Sequence, residues 1–122
     1  MREERKIIMD IKKVAEQLGL DESDIYDVVE LFIQTAPADL MKLVTAYNQQ
    51  NTVQIGEVAH SLKGSTGTLG FSEISKDAQL IMKQARDTDF ELLKSSVPPF
   101  LNRMKDLFVE LKDVMKNRPI EG

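Results

Sequence analysis

The chain reads as an all-α protein, an antiparallel four-helix bundle with an additional N-terminal helix. Three observations predict this. Apolar residues recur at spacings of three and four along nearly all of the 122 residues, the period of one helix face. No stretch alternates apolar and polar residues as a half-buried strand would, and no internal repeat of 20–50 residues is visible. The apolar segments are separated by short polar punctuation, as in bundles whose neighbouring helices run antiparallel.

Residues 2–18 form the first expected helix, with Ile7, Ile8, Ile11, Val14, Ala15 and Leu18 on one face and Gly19 as its stop. It completes the core as a lid, or else mediates dimerisation. Asp21 caps the next helix, with Glu22 and Asp24 at the positive end of its dipole. Ile25, Val28, Val29 and Phe32 make its apolar face. Pro37 pushes Ala36 off helical geometry, so a break or kink is expected there, with Pro37 opening a new helix. Ala38, Leu40, Met41, Val44 and Tyr47 then carry the apolar pattern to about Gln49.

Asn51 is a fitting N-cap, with Gln54 three residues on as in a capping box. The helix it opens spans about 52–69 and ends at Gly70 in the left-handed conformation. The following helix spans about 72–86. Phe71, Ile74, Ala78, Ile81 and Ala85 form its buried stripe, and Lys76, Gln79, Lys83 and Arg86 its polar one. Asp87-Thr88-Asp89 is a turn with capping chemistry. Leu93, Val97, Phe100, Met104, Leu107, Leu111 and Val114 then mark a bundle helix over 90–116. Pro98 and Pro99 are expected to break it, leaving 98–116 as the long straight part. Residues 117–122 read as a frayed tail.

Composition narrows the function. A chain of 122 residues, 42% hydrophobic, fits one domain over 1–122 with one core. The net charge of −4 and the lack of a Lys/Arg run argue against a nucleic-acid surface. There is no cysteine, hence no disulfide or thiolate chemistry, and one histidine offers no metal set. No apolar run approaches the ~20 residues of a membrane span, and Met1-Arg2-Glu3-Glu4-Arg5-Lys6 does not lead into a signal-peptide core. A free-standing cytoplasmic protein is the expectation.

The informative stretch surrounds the single histidine. Residues 56–70 hold His60 and four of the six glycines. On a helix, Gly56, Gly64 and Gly67 fall within roughly 40° of His60, and Lys63 about 60° to one side. Ile55, Val58, Leu62 and Leu69 occupy the opposite, apolar face, so His60 points away from the core. Each interior glycine costs about 1 kcal/mol against alanine. The compensation is close approach, either of another molecule onto the imidazole or of a neighbouring helix. Glu57, one turn before His60, either orients the ring or is a solvated carboxylate.

Neutral imidazole is a competent nucleophile and can carry a covalent group. Lys63 brings positive charge within reach of that group, which suits a phosphoryl dianion. The chain contains neither a G-x-x-x-x-G-K-[ST] loop nor a kinase signature, and no triad or dyad partner is placed with His60. His60 is thus expected to be a carrier, with the machinery for transfer on a partner.

The run His60-Ser61-Leu62-Lys63-Gly64-Ser65-Thr66-Gly67-Thr68-Leu69-Gly70 resembles the H-x-x-K-G-x-x-x-x-x-G signature of histidine-containing phosphotransfer (HPt) domains of two-component phosphorelays. The resemblance is strongest over 53–86. It implies that His60 accepts the phosphoryl group, that Lys63 steadies it, and that Gly64 opens the surface to a receiver domain. It implies response-regulator receiver domains and/or a sensor histidine kinase as partners. It also implies no cofactor on this chain, with Mg²⁺ held by the receiver. In that family the next helix usually offers Gln or Glu to the phosphohistidine. Met82 falls at that position here, and Gln79, one turn earlier, is the polar substitute. The ending Gly67-Thr68-Leu69-Gly70-Phe71 is also similar to the phosphotransfer domain of chemotaxis-type histidine kinases, where a carboxylate tunes the histidine. Its absence favours a carrier fed by a receiver. The alternatives are such a kinase-substrate domain or a helical interaction module without phosphoryl chemistry.

Overall fold

The computed structural model describes residues 9–119. Among them are five helices and no strand: α1 (Ile11–Leu18), α2 (Glu22–Asn48), α3 (Thr52–Thr68), α4 (Ser72–Arg86) and α5 (Phe90–Lys116). Each of α2 to α5 packs on the next, and α5 returns to α2, so the four close into a ring around one core. Connections of three residues join consecutive members of the ring, which forces each neighbour to run antiparallel. The core is drawn from every helix, with Ile25, Leu43, Ile55, Leu62, Ile81, Leu93, Phe100, Met104 and Leu107 all removed from solvent.

The helix ends follow local chemistry. Asn51 caps α3 by accepting the Gln54 amide N–H on Oδ1 at 3.1 Å, and Asp89 caps α5 by accepting that of Leu92 at 3.2 Å. Gly70 has φ +87°, and behind it the Phe71 N–H reaches the Thr66 carbonyl at 2.9 Å. This six-to-one bond satisfies a carbonyl at the end of α3 and turns the chain into α4. Gly19 does the same after α1, with φ +67° and a Leu20 N–H bond to the Ala15 carbonyl at 3.0 Å.

Four expectations need correction. The first helix begins at Ile11 rather than residue 2: Asp10 is extended (φ −90°, ψ 93°) and its carboxylate accepts the Lys13 N–H at 3.0 Å, an N-cap. The remaining positions expected in it, 2–8, lie outside the described residues. Val14 and Ala15 are the buried residues with which it closes one end of the bundle.

The prolines do not end their helices. α2 runs unbroken through Pro37, and α5 through Pro98 and Pro99. An interior proline costs about 3 kcal/mol of helix formation. All three rings point to solvent, while the buried stripes Val29–Phe32–Ala36–Leu43 and Leu93–Val97–Phe100–Met104 continue across them. Anchoring on both sides outweighs the local preference.

That continuity moves the buried face in the second half of α2. The phase set by Phe32 and Ala36 carries on to Leu43 and Ala46, not to a stripe restarted at Pro37. Ala38 is exposed, Met41 is 72% exposed and Val44 40%. Leu40 and Tyr47 are half-buried.

The chain just past α5 is held rather than frayed as far as Arg118. Arg118 bonds the Ser23 carbonyl at 3.2 Å, pairs with Asp27 at 3.0 Å and lies over the Tyr26 ring at 5.4 Å. Residues 120–122 lie outside the described residues.

Candidate functional site

His60 stands at the middle of α3, on its exposed side. Ile55, Val58, Ala59, Leu62 and Leu69 are buried on the other side, so core packing sets the rotation of the helix about its axis. The imidazole is thereby presented along a ridge, with α4 on one flank and α2 on the other. Among the described residues, no side chain hydrogen-bonds the ring. Glu57 is exposed and lines the same hollow as His60 without bonding it.

The α4 flank is polar and basic. Lys63, half-exposed, lines a hollow with Gln79, Met82, Lys83 and Arg86. His60 lines the neighbouring hollow with Gly56, Met82, Ala85 and Arg86. Gln79 belongs to the first of these and not to the second. No ion pair or hydrogen bond engages the side chains of Lys63, Lys83 or Arg86 among the described residues.

The three glycines beside His60 divide by environment. A Cβ on Gly64 would meet nothing within 4 Å. One on Gly56 would touch the Ala85 Cβ at 3.5 Å, an ordinary contact. One on Gly67 would come to 3.1 Å from the Ser75 Oγ. The open space expected at all three is therefore found at Gly64. Gly67 is where α3 and α4 close on each other, because α4 packs on that side of the ridge. Ser75 fixes this contact by donating its hydroxyl to the Lys63 carbonyl at 3.0 Å.

The glycine-rich half of α3 is held by hydroxyls. Thr66, buried, donates to the Leu62 carbonyl at 2.7 Å, and Thr68 to that of Gly64 at 2.9 Å. These bonds back onto the helix's own carbonyls, satisfying the Thr66 hydroxyl in the core and tying down that of Thr68 on the exposed side.

On the α2 flank, Gly64, Ser65 and Thr68 line an apolar hollow with Val28, Leu31, Phe32 and Thr35. Leu31 is 58% exposed. Farther along this flank, Ser61 donates its hydroxyl to Asp39 at 3.4 Å. Sequence reasoning did not reach this surface, since it required knowing which face of α2 lies beside α3. Arg86 was visible only as one cation in a polar stripe. Its place beside His60 depends on the α3–α4 register.

The arrangement offers an exposed nucleophilic nitrogen, cations to one side, and room for another molecule's backbone on the other. Among the described residues no cluster of His, Cys, Asp and Glu could hold a metal ion, and no helix is long and apolar enough to cross a membrane.

Comparison with known proteins adds one finding. The family model described as Hpt domain matches residues 27–117, from the first turns of α2 past the end of α5. Neither the curated proteins nor the solved structures give a significant match.

Proposed function

This chain belongs to the Hpt domain family, and we propose from that premise that it is a phosphorelay carrier whose acceptor is His60. Hpt domains are phosphocarrier modules of two-component signalling, working with receiver domains and kinases. In the proposed reaction an imidazole nitrogen of His60 attacks the phosphorus of a receiver's phospho-aspartate. The P–O bond to the aspartate breaks as the N–P bond forms, the carboxylate leaves, and the ring's other nitrogen gives its proton to solvent. A second receiver reverses these steps.

One observation carries the reading: an exposed histidine at mid-helix, followed one turn later by a glycine with empty space above it. Attack on a phosphoryl group held in another protein's active site needs the histidine to protrude and its surroundings to recede. Gly64 supplies the recession. The apolar hollow beside it, with Leu31 exposed, gives a receiver something to bury. Lys63 offsets charge on the phosphoryl group, with Gln79 as its polar neighbour across the α3–α4 groove. Gly56 and Gly67 keep the flanks of His60 low. The chain acts as one domain, in the cytoplasm, without a cofactor of its own, and Mg²⁺ is held by the receiver.

The test is a mixture of the protein with a phosphorylated receiver and Mg²⁺, scored for transferred phosphate, with His60→Gln and Lys63→Gln beside the wild type. His60→Gln should accept none and stay folded, because its side chain is exposed. Lys63→Gln should accept phosphate at least tenfold more slowly. Equal labelling of His60→Gln and wild type would contradict the assignment.

A further inference from the structure

The side of the ring formed by α2 and α5 lies opposite the α3–α4 groove, because α5 returns to α2 and α3 stands diagonally across from α5. At its middle, Leu40, Met41, Val44 and Thr45 of α2 and Leu101 and Lys105 of α5 line a shallow hollow. Met41 and Val44 are exposed, and one turn away along their helices stand Pro37 and Pro98, also exposed. These apolar groups form one patch rather than scattered single residues.

The charges of this side are sorted between its two helices. At 100° per residue, Glu30, Pro37, Met41 and Val44 fall within about 60° of one another on α2. On α5, Pro98, Leu101, Lys105, Val109 and Lys112 fall within about 80°. The acid thus stands on α2 and the bases on α5, each sharing a stripe with apolar residues. Glu30, Lys105 and Lys112 are exposed, and none makes an ion pair among the described residues. The ring contacts Phe32–Phe108 and Tyr47–Phe90 fix the register of the two antiparallel helices. Two residues before Phe32, Glu30 stands at the height of residue 110, between Lys105 and Lys112.

We propose that this side binds a second copy of the chain, as a two-fold dimer whose axis runs along the helices. That axis keeps heights and exchanges sides, so α2 of each copy lies over α5 of the other. Met41 meets Leu101 and Pro98 of the second copy, Glu30 meets its Lys105 and Lys112, and each contact occurs twice. A two-fold across the helices would lay α5 on α5, bring lysine toward lysine and leave Glu30 unmatched. The match of acid to base on one and the same face is what singles out a second copy, since a different partner would not need the face to be its own complement. The size also fits. Each helix has 27 residues, about 40 Å of length, and a packed pair presents a face about 20 Å wide. That gives about 800 Å² per copy, the size of a standard stable interface. The contact leaves the α3–α4 side uncovered, so both His60 side chains stay open.

The test is the molar mass in solution, by sedimentation equilibrium, for wild type, Met41→Glu, Glu30→Lys and a variant carrying Lys105→Glu with Lys112→Glu. The wild type should approach the mass of two copies as concentration rises. Each variant should associate roughly tenfold or more weakly, with the helical circular dichroism of wild type, because the substituted side chains are exposed. An equimolar mixture of the two charge-reversed variants should associate to within about threefold of wild type, since both acid–base contacts reappear between unlike copies. His60 takes no part in the contact, so His60→Gln should dimerise like wild type. A wild type that keeps the mass of one copy up to about 1 mM overturns the proposal and leaves the face to a different protein. A dimer that survives Met41→Glu overturns it by placing the contact elsewhere, on α1 for instance. A mixture that associates no better than its components overturns the register on which it rests.

Discussion

The residues around His60 show how a helix gives up stability to expose a side chain. Gly64 and Gly67 sit on one face of α3, yet only Gly64 faces open space. Gly64→Ala should raise stability by about 1 kcal/mol, since the helix gains propensity and the new methyl meets nothing. The same variant should slow transfer from a receiver, because the methyl stands where the partner approaches. Gly67→Ala should gain less, as its methyl presses on the Ser75 hydroxyl that bonds the Lys63 carbonyl. Denaturant midpoints of the two variants check the order, and equal gains would contradict it. Much of this was legible in sequence. His60, Lys63 and the glycines share a helical face by spacing alone, and the burial of Ile55, Val58 and Leu62 opposite them agrees. Which glycine serves access and which serves packing was not legible. That depends on the side from which α4 arrives, and spacing within one helix carries no record of its neighbours.

At the scale of elements, caps and stops were readable because their chemistry is local. Asn51, Asp89, Gly19 and Gly70 each act within a few residues of themselves. The prolines were not, because their local preference competes with packing on both sides. Reading Pro37 as a break also restarted the helical phase, which put Met41 and Val44 in the core when they are exposed. A single continuous phase from Ile25 to Ala46 accounts for the buried residues of α2. If packing overrides the proline, Pro37→Ala should stabilise the protein, by about 1–3 kcal/mol. Thermal or denaturant unfolding measures this. A loss of stability would show that α2 needs the geometry proline imposes.

For the whole molecule, α2 to α5 form the ring, α1 covers one end, and Arg118 ties the end of α5 to the start of α2. The tie joins residues far apart in the chain, so no local pattern announced it. Its members are partly exposed, and Arg118→Ala should cost only about 1 kcal/mol, measured as a lower denaturant midpoint, with phosphate acceptance at His60 unchanged. A large loss of acceptance would mean that the clasp controls the site some distance away.

The central claim is that this bundle exists to hold His60 where another protein can reach it. The most direct measurement is transfer from a phosphorylated receiver with Mg²⁺, scored as acid-labile, base-stable phosphate on wild type and on His60→Gln. Label on the wild type alone is the predicted result. Absence of label across a panel of receivers, or label that survives the loss of His60, would contradict the account.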